Sequence, residues 1–160
     1  MAIAMMAMSI ERRLSAKVGH VVLFYPVTDT HMKMDSYETF KNDAFLSSDT
    51  MDWMIDAFLP NKKDRENALT SPLTFMPDEM LAKFSLTTII LSDHDVLLDE
   101  GRAFGHRLQK ARVETAVIRG EGQIHAFALI KPTRESATAR AIVELAVSRM
   151  RKAFSPAIVQ

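Results

Sequence analysis

Two loops of this chain carry side chains able to do chemistry together. Ile89-Ile90-Leu91 runs into Ser92-Asp93-His94-Asp95, and Val113 to Ile118 runs into Arg119-Gly120-Glu121-Gly122-Gln123-Ile124-His125-Ala126-Phe127. Each reads as an apolar strand ending in a loop, with Asp95 in the first loop and His125 in the second. A carboxylate that accepts the Nδ1–H of an imidazole fixes the ring's tautomer and stabilises the imidazolium formed when the ring takes a proton. That is the work of the acid and base in a Ser-Asp-His triad. Their separation of 30 residues leaves room for one helix and one strand, so the two loops belong to neighbouring strands and can meet.

A blander reading stands beside this one. An aspartate at a strand end commonly caps a helix or forms a turn. Asp93, Asp95 and Asp99 compete for that role, and Asp99 is best placed to cap a helix beginning at Glu100. A single loop histidine is commonly just solvated. Asp93-His94-Asp95 also raises a metal site. Adjacent residues of an extended chain point to opposite sides, so only the two aspartates share a face. His20, His31 and His106 show no ligand spacing with them, and no metal is expected. Gly120-Glu121-Gly122 lacks the further glycine and following helix of a phosphate loop, and reads as a turn.

The elements that must position these loops follow an α/β pattern. Residues 1 to about 15 are rich in Ala, Met, Ile and Leu and predict a helix whose early turns are buried. Val18 to Tyr25, closed by Pro26, predicts a strand buried on both faces. Residues 26 to 48 read as irregular. Ser48 or Asp49 can cap a helix through about Leu59, and Asn61 to Thr70 reads as a charged loop. Ser71-Pro72-Leu73 opens a further extended stretch. Thr87 to Leu91 is the next strand, Asp99 to about Ala111 a helix, Val113 to Ile118 a third strand and Glu135 to about Ala153 a long last helix. Strands alternating with helices imply a mostly parallel sheet flanked by helices.

Composition narrows the function classes. The chain has 160 residues, with 20 basic side chains against 20 acidic ones, so nothing suggests a nucleic-acid or anionic-membrane partner. With no cysteine, thiolate metal sites, disulfides and cysteine nucleophiles are excluded. No apolar run approaches the roughly 20 residues needed to span a bilayer. Met1-Ala2-Ile3-Ala4-Met5-Met6-Ala7-Met8 has its charges after the apolar run, at Glu11, Arg12 and Arg13, unlike a signal peptide. A cytoplasmic location is the expectation.

Several ordered segments together resemble the C-terminal part of the hormone-sensitive-lipase-like carboxylesterases, within the α/β-hydrolase fold. They are Val22-Leu23-Phe24-Tyr25-Pro26-Val27-Thr28-Asp29, Ser71-Pro72-Leu73, Asp95-Val96-Leu97-Leu98-Asp99-Glu100-Gly101 and Gly122-Gln123-Ile124-His125-Ala126-Phe127, within a likeness running from residue 1 to about 154. The resemblance implies that Asp95 is the triad acid and His125 the general base. It also implies a small-molecule ester substrate for the full-length enzyme and no cofactor. Pairing of two copies through the last strand and helix is a further implication. Departures stand at Val96 and Leu98, where the family has Pro and Arg and which would loosen the loop after Asp95. Ala126 replaces a glycine and would strain the backbone if φ is positive there, and Arg112 also replaces a glycine.

The nucleophile motif Gly-Asp-Ser-Ala-Gly-Gly is absent. Ser9 and Ser15 lie in or after the first helix, without a strand-to-helix elbow. The expectation is therefore a single partial α/β-hydrolase domain over 1–160, the C-terminal portion of the fold, without serine or oxyanion hole. It should show only background turnover of p-nitrophenyl butyrate. Within it, 25–72 is expected to contribute to a substrate pocket, with Phe45, Trp53 and Phe58 as apolar candidates for the wall or the core. The alternative is a non-catalytic binding or interaction protein built on the half-fold.

Overall fold

The computed structural model describes residues 1–15, 18–42 and 45–155. Positions 16, 17, 43, 44 and 156–160 of the expected domain lie outside the described residues. The elements run α1 (Ala2–Glu11), β1 (His20–Phe24), α2 (Ser36–Thr39), α3 (Ser48–Phe58), a 3₁₀ turn (Lys62–Arg65), α4 (Pro72–Phe75) and α5 (Asp78–Leu81). They continue with β2 (Leu86–His94), α6 (Leu98–Lys110), β3 (Thr115–Ile124), α7 (Lys131–Arg134) and α8 (Ala137–Phe154). Among the described residues the strands form one parallel sheet in the order β1-β2-β3, with Leu23 opposite Ile89 and Ile89 opposite Val117. This is the α/β architecture that alternating strands and helices predict.

β2 is the middle strand and is buried from Thr87 to Asp93. Its side chains alternate between two cores, as a pleated strand requires. Ile89 and Leu91 pack with Ile3, Met6 and Ala7 of α1 and Phe104 and Leu108 of α6. Ile90 faces the other way, into Phe127 and Ala139, Ile142 and Ala146 of α8. Helices therefore cover both faces of the sheet. Gly101 and Gly105, one helical turn apart, let α6 lie this close: a Cβ on Gly101 would stand 2.6 Å from Leu91 Cδ2, and one on Gly105 would collide with Val117.

α1 buries Ile3, Met6 and Ala7 but leaves Met1 and Met5 exposed, so only one stripe of this apolar helix is covered. No helix of the described residues is long and apolar enough to cross a membrane. The cap of α3 is Ser47, one residue before the expected start, with its hydroxyl accepting the Thr50 N–H. Ser71-Pro72-Leu73 is not extended. Proline sits at the first turn of α4, where its missing N–H costs nothing. Asp99 does not cap α6, which starts at Leu98. Its carboxylate accepts the Ser36 N–H at 2.9 Å and pairs with Arg102.

α6 ends as a helix with a C′ glycine would, yet Arg112 holds that place. Its N–H donates to Gln109 O, the Val113 N–H donates to Leu108 O, and Arg112 takes φ 64°. A side chain in this left-handed region costs about 1 kcal/mol relative to glycine. Arg112 is exposed, so its side chain buries little in return. Arg112→Gly is expected to raise the melting temperature by roughly 2–4 °C in a thermal scan.

Candidate functional site

Both candidate residues sit immediately after strands that are longer than their apolar runs. β2 continues through the polar Ser92-Asp93-His94, and Asp95 follows it directly. β3 continues to Ile124, and His125 follows directly. The Asp95 carboxylate accepts from His125 Nδ1 at 2.8 Å through Oδ2 and from the Leu97 N–H at 3.0 Å through Oδ1. Asp95 is buried, whereas the imidazole keeps about a fifth of its surface, 19% against 1% for the two side chains. With Nδ1 engaged, Nε2 is left to exchange a proton with a third group.

The loop beyond Asp95 stays anchored without the proline expected there. Val96 and Leu97 are fully buried against Tyr37, Leu46, Met51 and Ile55. Ser36 donates its hydroxyl to Val96 O at 2.6 Å. Packing and this hydrogen bond thus hold the loop where the family has a proline ring.

His125 is flanked by aromatics. The Tyr25 ring lies 4.8 Å from the imidazole and 5.7 Å from Phe127. Burial pushes the Tyr25 hydroxyl up and the Asp95 charge adds to this, against a backbone hydrogen bond at Ala128. Tyr25 adopts φ 37° and Ala126 φ 61°. Strained, non-glycine backbone on both sides of one imidazole is the sort of cost that persists where surroundings over-determine a geometry. The strain anticipated at Ala126 is present.

The expectation that no serine accompanies the pair is corrected here. Ser92 lies three residues before Asp95, on β2 opposite Gly120, with 1% of its surface exposed and its Oγ without a hydrogen-bond partner. Alternation along β2 puts it on the face of Ile90, which packs against Phe127, two residues from His125. A search confined to strand-to-helix elbows passes over a serine embedded in a strand. An unpaired buried hydroxyl can be suspected only once the strand is known to run past Leu91.

Of the proposed wall residues, Phe58 lines an apolar cavity of about 460 Å³ together with Ile3, Val27, Met51, Met54 and Ile55. All three side chains are exposed, Phe58 included, and Phe45 and Trp53 belong neither to this wall nor to a core. Asp93, which shares a strand end with Asp95, engages Arg119 and the Gly122 N–H rather than the imidazole of His125.

Several proteins similar to this chain are named esterases. One from Fusarium pseudograminearum is 55% identical over 154 residues, taking in 96% of this chain and 48% of that protein. One from Gibberella moniliformis is 56% identical over 154 residues, again 96% of this chain and 48% of the relative. The crystal structure of carboxyl esterase 2 from the mycorrhizal fungus Tuber melanosporum matches with a TM-score of 0.91 at 34% identity, covering 95% of this chain and 50% of that one. The chain spans about half the length of these proteins. The expectation of a chain inactive for want of a nucleophile is nevertheless not the reading that stands. The likeness to esterases runs through nearly the whole chain, and Ser92 is a buried serine on β2 three residues before Asp95, its Oγ unpartnered. Residues 1–129 match the family described as the alpha/beta hydrolase fold, and the chain belongs to that family.

Proposed function

We propose that the chain acts as a carboxylic ester hydrolase through a serine mechanism in which Asp95 orients His125 and His125 is the general base. The observation that carries this is the 2.8 Å contact between His125 Nδ1 and Asp95 Oδ2 at adjacent strand ends, with no partner for Nε2 among the described residues. The esterase names of its relatives support a small-molecule ester as substrate. The serine hydroxyl attacks the ester carbonyl while Nε2 takes its proton. The imidazolium, stabilised by Asp95, then protonates the departing alkoxide, and water releases the acid by the reverse sequence.

Ser92 is the serine we assign to this step. Its hydroxyl has no competing partner, but it makes no hydrogen bond to His125 in the resting structure and is enclosed. Attack therefore requires a side-chain rotation and an opening toward substrate, since hydrogen bonds of this kind commonly tighten only with substrate bound. The region 25–72 furnishes Val27, Met51, Met54, Ile55 and Phe58 to the apolar cavity, which we assign to the acyl or alcohol group. β3 is an edge strand of the described sheet, so a second copy can pair along it and α8.

The reading is tested with p-nitrophenyl butyrate. The wild-type chain is expected to turn it over, and Ser92→Ala to abolish turnover at an unchanged melting temperature. Full activity in that variant would remove Ser92 from the mechanism. Equal background from wild type, Ser92→Ala and His125→Ala would favour a non-catalytic binding protein.

A further inference from the structure

A bulge directly precedes His125, and one buried carboxylate fills it. On β2, Ser92 pairs with Gly120 and His94 pairs with Ile124, so the single residue Asp93 lies opposite Glu121, Gly122 and Gln123 of β3. Extra residues of this kind leave backbone donors without a ladder partner and re-aim the next side chains along the strand. Gly122 takes φ 67° within the bulge. Asp93, whose side chain is 7% exposed, accepts the Gly122 N–H at 2.9 Å through Oδ2 and Arg119 Nε at 2.5 Å through Oδ1, with Arg119 Nη2 also paired to it. The His94 ring stands 3.7 Å from Oδ2.

We propose that Asp93 is a positioning residue for His125: it pins the β3 bulge so that the imidazole is delivered to Asp95. Two carboxylates from one strand end thereby hold one seven-residue segment at three points, Arg119 and Gly122 through Asp93 and His125 through Asp95. The charge on Asp93 suits the task. Burial pushes its carboxyl up, but the Gly122 N–H and the Arg119 guanidinium outweigh this and hold it below the ordinary range. Without that acceptor, Gly122 N–H loses a buried partner and the three bulged residues lose their tie to β2. A shift of about 1 Å in a catalytic group is enough to cost roughly 100-fold in rate.

The proposal rests on the catalytic reading of His125 only for its kinetic arm. In that arm, Asp93→Ala is expected to lower kcat on p-nitrophenyl butyrate at least about tenfold with KM within about threefold. In the second arm, proton NMR tracks the downfield His125 Nδ1–H resonance, assigned by its loss in His125→Ala. It should be present in the wild type, lost or broadened in folded Asp93→Ala, and retained in part in Asp93→Asn, whose amide oxygen can still accept from Gly122. An unchanged resonance in Asp93→Ala overturns the proposal, even if the melting temperature falls. If Asp93→Ala does not fold, Asp93→Asn decides alone: a resonance of wild-type sharpness together with wild-type kcat would overturn it. Should the wild type prove inactive on esters, the resonance still decides, so failure of this inference and failure of the esterase reading are separable.

Discussion

His125→Ala is expected to reduce kcat/KM for p-nitrophenyl butyrate by roughly 10⁴-fold or more, with the loss carried by kcat. The imidazole both accepts the nucleophile's proton and returns it to the leaving group, so its removal eliminates two transfers rather than weakening one. Asp95→Asn should cost a similar order. The asparagine side chain can present an amide N–H to Nδ1 and so favours the wrong tautomer, with the ring proton on Nε2 where a lone pair is needed. Both variants keep nearly the native volume or create only a part-exposed gap, since His125 is not enclosed. Circular dichroism should therefore show folded protein. A His125→Ala enzyme retaining more than a tenth of wild-type kcat would remove the imidazole from the chemistry.

Glu100 is expected to make the fold less stable as pH rises, and Glu100→Gln to abolish that dependence. The side chain is fully buried, and Oε1 accepts the Thr28 N–H at 2.6 Å and the Asp29 N–H at 3.2 Å. Oε2 has no hydrogen-bond partner and neither does the neighbouring Tyr37 hydroxyl. Burial pushes the carboxyl up from 4.5 to about 8 against the Thr28 and Asp29 N–H donors, with the Asp29 charge raising it further. Between pH 4.5 and 8 the unfolded chain has released this proton and the native chain keeps it on Oε2. The native state therefore binds more protons, and stability declines with rising pH across that window. A displacement of this size corresponds to on the order of 4 kcal/mol by pH 8, with little further change above it. Glutamine keeps the Oε1 acceptor and offers Tyr37 a donor. Urea unfolding at about pH 4 and about pH 8.5, on either side of this window, should give similar stabilities for the two proteins at the lower pH and a clear advantage to Glu100→Gln at the higher. Parallel curves for the two would show that Glu100 is ionised in the native state.

Apolar runs make the layer architecture readable in the sequence. Val21 to Phe24, Thr87 to Leu91 and Val113 to Ile118 all lie within or beside the parallel strands found, and the long helix after Glu135 is present. Strand ends are harder to read. Ser92, Asp93 and His94 look like loop residues because they are polar, yet ladder pairing and a carboxylate-filled bulge carry both strands onward. That extension brings Asp95 and His125 directly to the strand ends and hides Ser92 inside a strand. The pair itself is legible because acid and base come after apolar runs at a spacing that one helix and one strand fill. Ser92 is not, since a hydroxyl becomes conspicuous only when burial leaves it without a partner. α4 is easily mistaken because Pro72 suits the first turn of a helix as well as an extended stretch. The exposure of Phe45 and Trp53 cannot be read from residue type, which favours burial for both.

The most direct test of the central claim, a serine activated by the Asp95–His125 pair, is mass spectrometry of the chain after reaction with a fluorophosphonate ester. A single adduct on Ser92, absent from Ser92→Ala and strongly slowed in His125→Ala, is the predicted result. An unlabelled wild-type chain, an adduct mapped to a different serine, or labelling that proceeds equally well without His125 would contradict it.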